Sequence, residues 1–171
     1  MPIDQVIFTG QGGFTRVPTE VLAQYAGDGH DHWHARGVVS MALSPVADPA
    51  SVTAGDKIAF CFFDNLNSEP DLPGAAPEPS YRITWCGTPE VYSVRMGLSV
   101  GWGDMYSWSF AYQWVDITDL PGGIYQLRAT VDAANDYLEL DDSDNCTMSQ
   151  IEIPATGEGR IVVVDASDQP C

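Results

Sequence analysis

The chain has 171 residues, 44% of them hydrophobic, and its 24 acids against 7 bases give a formal charge of -17. That is length and apolar content enough for one buried core, and too much of both for a disordered chain. So few Lys and Arg argue against nucleic acid as a partner and disfavour an anionic membrane surface. An acidic surface attracts cationic amines instead, although the same charge also serves solubility or a salty habitat.

In chain order, the opening Met1-Pro2-Ile3-Asp4 has neither a basic start nor the apolar run of a leader peptide. No stretch approaches the roughly 18 apolar residues of a membrane span. Residues 6–8 and 14–17 read as two arms of a hairpin broken by Gly10, Gly12 and Gly13. Residues 19–25 are the one stretch with helical character. The histidine segment follows, then a strand at 37–43, a loop at 44–54, and an apolar, aromatic strand at 57–63 that Lys57 opens.

The proline-containing stretch 65–80 reads as a long surface loop, with strands resuming at 81–85 and 91–96. Residues 97–104 are punctuated by glycine around Trp102 and read as a shaped loop. A strand at 113–117 and a turn at Leu120-Pro121-Gly122-Gly123 precede 124–131, which alternates in the manner of a half-buried strand. An acidic loop at 139–145 and strands at 148–153 and 160–164 complete the chain. The expected fold is all-β, a β-sandwich of short antiparallel strands with long loops and little helix. Residues 1–171 read as a single domain, taken as part of a longer secreted chain.

Cysteines stand at 61, 86, 146 and 171. Four allow three pairings, and an even set suits disulfides in an oxidising compartment. Cys61 and Cys86, in strand-like surroundings, are the first pair expected.

All three histidines fall in Gly29-His30-Asp31-His32-Trp33-His34. In an extended segment, residues i, i+2 and i+4 share a face, so His30, His32 and His34 read as a metal site. Imidazole suits copper, zinc, iron or nickel. In a straight strand, however, the outer Cα atoms lie about 13 Å apart, so a shared ion demands a twist or bulge. Gly27 and Gly29 are placed to supply it. A second set, Glu139, Asp141, Asp144 and Asn145, offers hard oxygen ligands at the close spacing calcium requires, although a solvated acidic turn has the same composition.

Four segments, in order from about residue 6 to 153, resemble the catalytic domain of the lysyl oxidase family. His30-x-His32-x-His34 is similar to the family's copper triplet, and Lys57-Ile58-Ala59-Phe60-Cys61 to its Lys-x-x-Phe-Cys strand. Gly97-Leu98-Ser99 through Gly103-Asp104-Met105-Tyr106, with Gln113-Trp114-Val115-Asp116-Ile117-Thr118-Asp119, resembles its longest signature. Residues 123–131 with the acidic loop resemble its closing strand and loop. The resemblance implies a copper-dependent primary-amine oxidase, acting on peptidyl lysine or small amines to give aldehydes, hydrogen peroxide and ammonia. It implies a lysine tyrosylquinone cofactor at the matching positions, Lys57 and Tyr106. It also implies a secreted enzyme whose partner is a cationic amine or a lysine-containing protein.

Lys57 is the only lysine of the chain and falls on the cofactor position. Burial there favours the free amine that a nucleophile needs. The reaction needs a carboxylate base, for which Asp116 and Asp104 flank the tyrosine; Asp116, among Trp114, Val115 and Ile117, is expected to be desolvated with a raised pKa. Two other readings stand beside this one. A non-catalytic metal-binding β-sandwich module of an adhesion or matrix protein accommodates the histidines without needing Lys57 near Tyr106. A zinc hydrolase leaves both residues unexplained.

Overall fold

The computed structural model describes residues 1–8, 12–26, 30–57, 59–110, 113–155, 159–166 and 171, with backbone alone for Asp56 and Lys57. These residues form two compact units, one of Met1–Arg36 with Ala59–Phe110 and one of Gly37–Ile58 with Ala111–Cys171.

The first unit is built on β1 (Pro2–Phe8), β2 (Phe14–Ala26), β3 (His32–Arg36) and β6 (Ala59–Phe60), hydrogen-bonded in the order β1-β2-β3-β6. The hairpin expected at the start is present, with Phe8 opposite Phe14. The expected helix at 19–25 is not: those residues continue β2. The reason is a period of two. Val17, Thr19, Val21, Ala23 and Tyr25 turn inward while Pro18, Glu20, Leu22 and Gln24 stay exposed, which a helix cannot arrange.

A two-stranded ladder of β7 (Leu66–Asn67) and β8 (Trp102–Gly103) completes this unit. The strands expected at 81–85 and 91–96 are absent. Ile83–Cys86 forms a single 3-10 turn, and 91–96 runs irregularly. Both flank Cys86, whose disulfide to Cys61 ties this stretch to the end of β6. That covalent anchor and hydrogen bonds such as Trp33 Nε1 to the Thr88 carbonyl (3.0 Å) hold the segment in place of a ladder.

The second unit is one six-stranded antiparallel sheet. Its order is β12 (Val162–Asp165), β11 (Cys146–Ile153), β10 (Gly123–Val131), β4 (Val39–Pro45), β5 (Thr53–Lys57) and β9 (Gln113–Val115). Leu43, Tyr125, Ile151 and Ile153 form its buried cluster, with Val115, Ile117, Leu120 and Leu127 packed on it. Tyr125 is buried whole because its hydroxyl finds the Pro121 carbonyl at 2.6 Å. A second disulfide joins Cys146 to Cys171.

The strand expected at 57–63 is divided. Lys57 closes β5, paired with Gln113 of β9, and the following strand is only Ala59–Phe60. The overall expectation holds: the described residues are all-β, in short antiparallel strands with long loops and two 3-10 turns. Among them no helix is long and apolar enough to cross a membrane.

Candidate metal and cofactor site

β3 places the histidines. Its pairing with β2 sets His34 opposite Gln24, Trp33 opposite Tyr25 and His32 opposite Ala26. Trp33 packs edge-on against Tyr25, with ring centroids 5.7 Å apart, while the alternate residues His32 and His34 share the other side of the strand. His34 is buried at 6% exposure.

His30 precedes the strand, and Asp31 between it and His32 takes a left-handed φ of 49°. Asp adopts that conformation more readily than most residues. The turn bends the chain so that His30 returns toward its neighbours instead of lying a strand's length away. The irregularity required by the spacing therefore sits at Asp31; Gly27 and Gly29 lie outside the described residues.

The result is a converging set. Candidate ligand atoms of His30, His32 and His34 all lie within 4.8 Å of one another, and the described residues contain no other such group of His, Cys, Asp or Glu. The Nε2 atoms of His32 and His34 are 2.8 Å apart. Two nitrogens bound to one ion at about 2.0–2.1 Å each stand at most about 4.2 Å apart, so small ring rotations bring all three within reach. Three neutral imidazoles are a donor set that suits copper or zinc. The residues fit a metal ion.

From the histidines a line of rings leads to the tyrosine. Phe110 packs edge-on against His30 at 6.2 Å and against Tyr106 at 6.0 Å, and Tyr106 meets Phe60 at 5.1 Å. The Tyr106 hydroxyl accepts a hydrogen bond from the Cys61 amide (3.1 Å) and faces the Cys61 carbonyl at 3.4 Å. Burial pushes its pKa well above the ordinary value, and the nearby negative charge and hydrogen bond of Asp104 push it further. In this state Tyr106 is a protonated phenol packed between phenylalanines.

The segment after Cys61 holds the tyrosine loop. Asp64, buried at 7% exposure, accepts hydrogen bonds from the amides of Ser80, Tyr81 and Ser99 and from the Ser99 hydroxyl. Burial alone would raise its pKa, but these four donors outweigh it and hold the carboxyl below the usual range. Next to it, Asn65 bonds to Asp104 and to both backbone groups of Met105. Neither residue stood out in the sequence beyond being a pair of Asx residues ahead of a proline-rich loop.

The other expected residues fall as follows. Lys57 is at the end of β5, in the second unit. Asp116 is a correction: it is exposed, its carboxylate accepts from the Thr118 amide and hydroxyl at 3.0 and 2.6 Å, and those bonds lower its pKa. The apolar neighbours that suggested desolvation alternate along the chain, and Asp116 turns outward between half-buried Val115 and Ile117. In the acidic loop, the Asp141 carboxylate accepts from the Ser143 amide and hydroxyl, and Asn145 donates to Glu139. Asp141 thereby caps the turn at Asp142–Asp144.

The family model described as Lysyl oxidase matches residues 6–164. The chain belongs to the lysyl oxidase family. It is 29% identical to lysyl oxidase homolog 2 of Rattus norvegicus over 118 residues, 69% of this chain and 14% of that protein. Lysyl oxidase homolog 4 of Mus musculus matches at 29% over 116 residues, 68% of this chain and 14% of the relative. Lysyl oxidase homolog 3B of Danio rerio matches at 26% over 116 residues, 68% and 13% respectively. This lysyl oxidase-type chain thus spans about a seventh of the length of the curated relatives it matches. The matched range takes in both compact units.

Proposed function

We propose that this chain is a secreted, copper-dependent primary-amine oxidase. The observation that carries the reading is the convergence of His30, His32 and His34, joined through Phe110 to Tyr106. The three imidazoles would hold copper, which they do in their neutral form. When bound, copper with dioxygen would supply the oxidising power to build a quinone from Tyr106 and Lys57, whose carbonyl would serve amine oxidation.

The chain's own groups do the rest. Cys61 fixes the phenol oxygen through its backbone, and Phe60 and Phe110 fix the ring plane. Asp104, whose negative charge is felt at the phenol, takes the role of base toward the substrate carbon in preference to Asp116. Asp116 is held by Thr118 with a lowered pKa, the wrong direction for a base near neutral pH. A net charge of -17 draws cationic amines toward the surface, with an effect that salt screens. Two disulfides suit an extracytoplasmic setting. Calcium at Glu139, Asp141, Asp144 and Asn145 is not needed for this reading.

The test is peroxide release after copper loading, with a lysine-containing peptide and a small diamine as alternative substrates. The reading expects peroxide and ammonia in equal amounts, abolished by Lys57→Arg and by Tyr106→Phe. Copper binding with no peroxide from any primary amine would favour the non-catalytic metal-binding module.

A further inference from the structure

We propose that Asn65 is a positioning residue for the quinone-forming tyrosine, acting through the backbone immediately before it. Its carboxamide nitrogen donates to the Asp104 carboxylate at 2.7 Å and to the Met105 carbonyl at 3.2 Å, and its carbonyl oxygen accepts from the Met105 amide at 2.7 Å. The Asn65 backbone amide donates to the Gly103 carbonyl at 3.2 Å. Only one orientation of the carboxamide satisfies these partners: flipped, its oxygen would face a carboxylate and a carbonyl.

The arrangement extends a ladder. β7 and β8 pair Leu66 with Gly103, and beyond that point the Asn65 side chain takes the place of a strand, reading both polar groups of Met105 as a neighbouring peptide would. Met105 is 61% exposed and packing supplies little anchorage, so the backbone is held through Asn65. Tyr106 is the next residue. With Met105 clamped and the phenol bonded to Cys61, the tyrosine ring is fixed at both ends. The same carboxamide sets where the Asp104 carboxylate stands beside that ring.

The inference rests on the amine oxidase reading for its purpose, but its geometry is testable without a cofactor. Hydroxyl-radical footprinting of the metal-free full chain, read by peptide mass spectrometry, reports the accessibility of each tyrosine. Tyr92, 96% exposed, gives the fully reactive reference, and Tyr25, packed on Trp33 in the same unit as Tyr106, reports whether that unit is intact.

In Asn65→Ala the Tyr106 oxidation rate rises several-fold toward that of Tyr92 while Tyr25 stays at its wild-type rate. Asn65→Asp keeps the size and the acceptor for Met105 but sets a second carboxylate against Asp104, and it gives the same pattern. With copper and air, both variants bind copper as wild type does yet form the quinone chromophore roughly tenfold or more slowly, as a misplaced reacting group requires. An unchanged Tyr106 footprint in both variants overturns the proposal. So does a parallel rise of Tyr25 in both, which would make Asn65 a support of the whole unit. A wild-type chain that never forms chromophore counts against the oxidase reading, and the footprints still decide the role of Asn65.

Discussion

The Nε2 atoms of His32 and His34 stand 2.8 Å apart, two residues along one strand and on one side of it. At that distance the pair either shares one proton or shares an ion, because two bare lone pairs repel. Protons and metal therefore compete for the same atoms, and binding weakens in acid as the imidazoles charge.

Removing any member of the set opens the site. His30→Ala, His32→Ala and His34→Ala are each expected to lower copper affinity by about 100-fold or more, beyond the effect usual for outer-shell groups. Competition with a chromophoric chelator at neutral pH measures this. His30 lies outside the strand, so His30→Ala should leave the melting temperature near wild type.

Tyr106→Phe tests the phenol's structural share. The variant strips the Cys61 amide of its acceptor at a fully buried residue, an expected cost of about 1–3 kcal/mol in denaturant unfolding. Loss of chromophore without any loss of stability would mean that Cys61 finds another partner.

Asp64 gives the stability a pH dependence. Its folded-state pKa lies below the ordinary value, so its contribution is present above about pH 4 and is lost as pH falls through the folded value. Asp64→Asn should cost about 2 kcal/mol at neutral pH, since a charged acceptor and four donors are involved. Its stability should also decline less on acidification than that of wild type. Denaturant midpoints between pH 7 and pH 3 read both effects.

The Cys61–Cys86 disulfide closes a loop with sequence separation 25 and anchors the residue that holds the Tyr106 hydroxyl. Replacing both cysteines by alanine should cost roughly 3–4 kcal/mol by loop entropy. Chromophore formation should slow more than in a Cys146/Cys171 double variant, since that pair lies in the other unit.

Much of this was legible in the chain. The spacing of the three histidines was enough to propose a common site, and the alternation at 124–131 was enough to propose β10. What escaped was non-local. Residues 19–25 looked helical because Glu20, Leu22, Ala23 and Gln24 favour helix, yet pairing with β1 and β3 on both sides decides for strand. Lys57 looked like the start of an apolar strand, and only its pairing with Gln113 shows that it ends one. Asn65 and Phe110 gain their places from partners about 40 and 80 residues away, which no local pattern encodes.

The central claim is that Lys57 and Tyr106 become one cofactor. Its most direct test is peptide mapping of the copper-loaded, air-exposed chain beside its visible spectrum. The account predicts a coloured product in which the Lys57 and Tyr106 peptides are covalently joined, resistant to thiol reductants and reactive with phenylhydrazine. Copper bound at the histidines, with both peptides recovered separate and unmodified and no colour at any time, would contradict it.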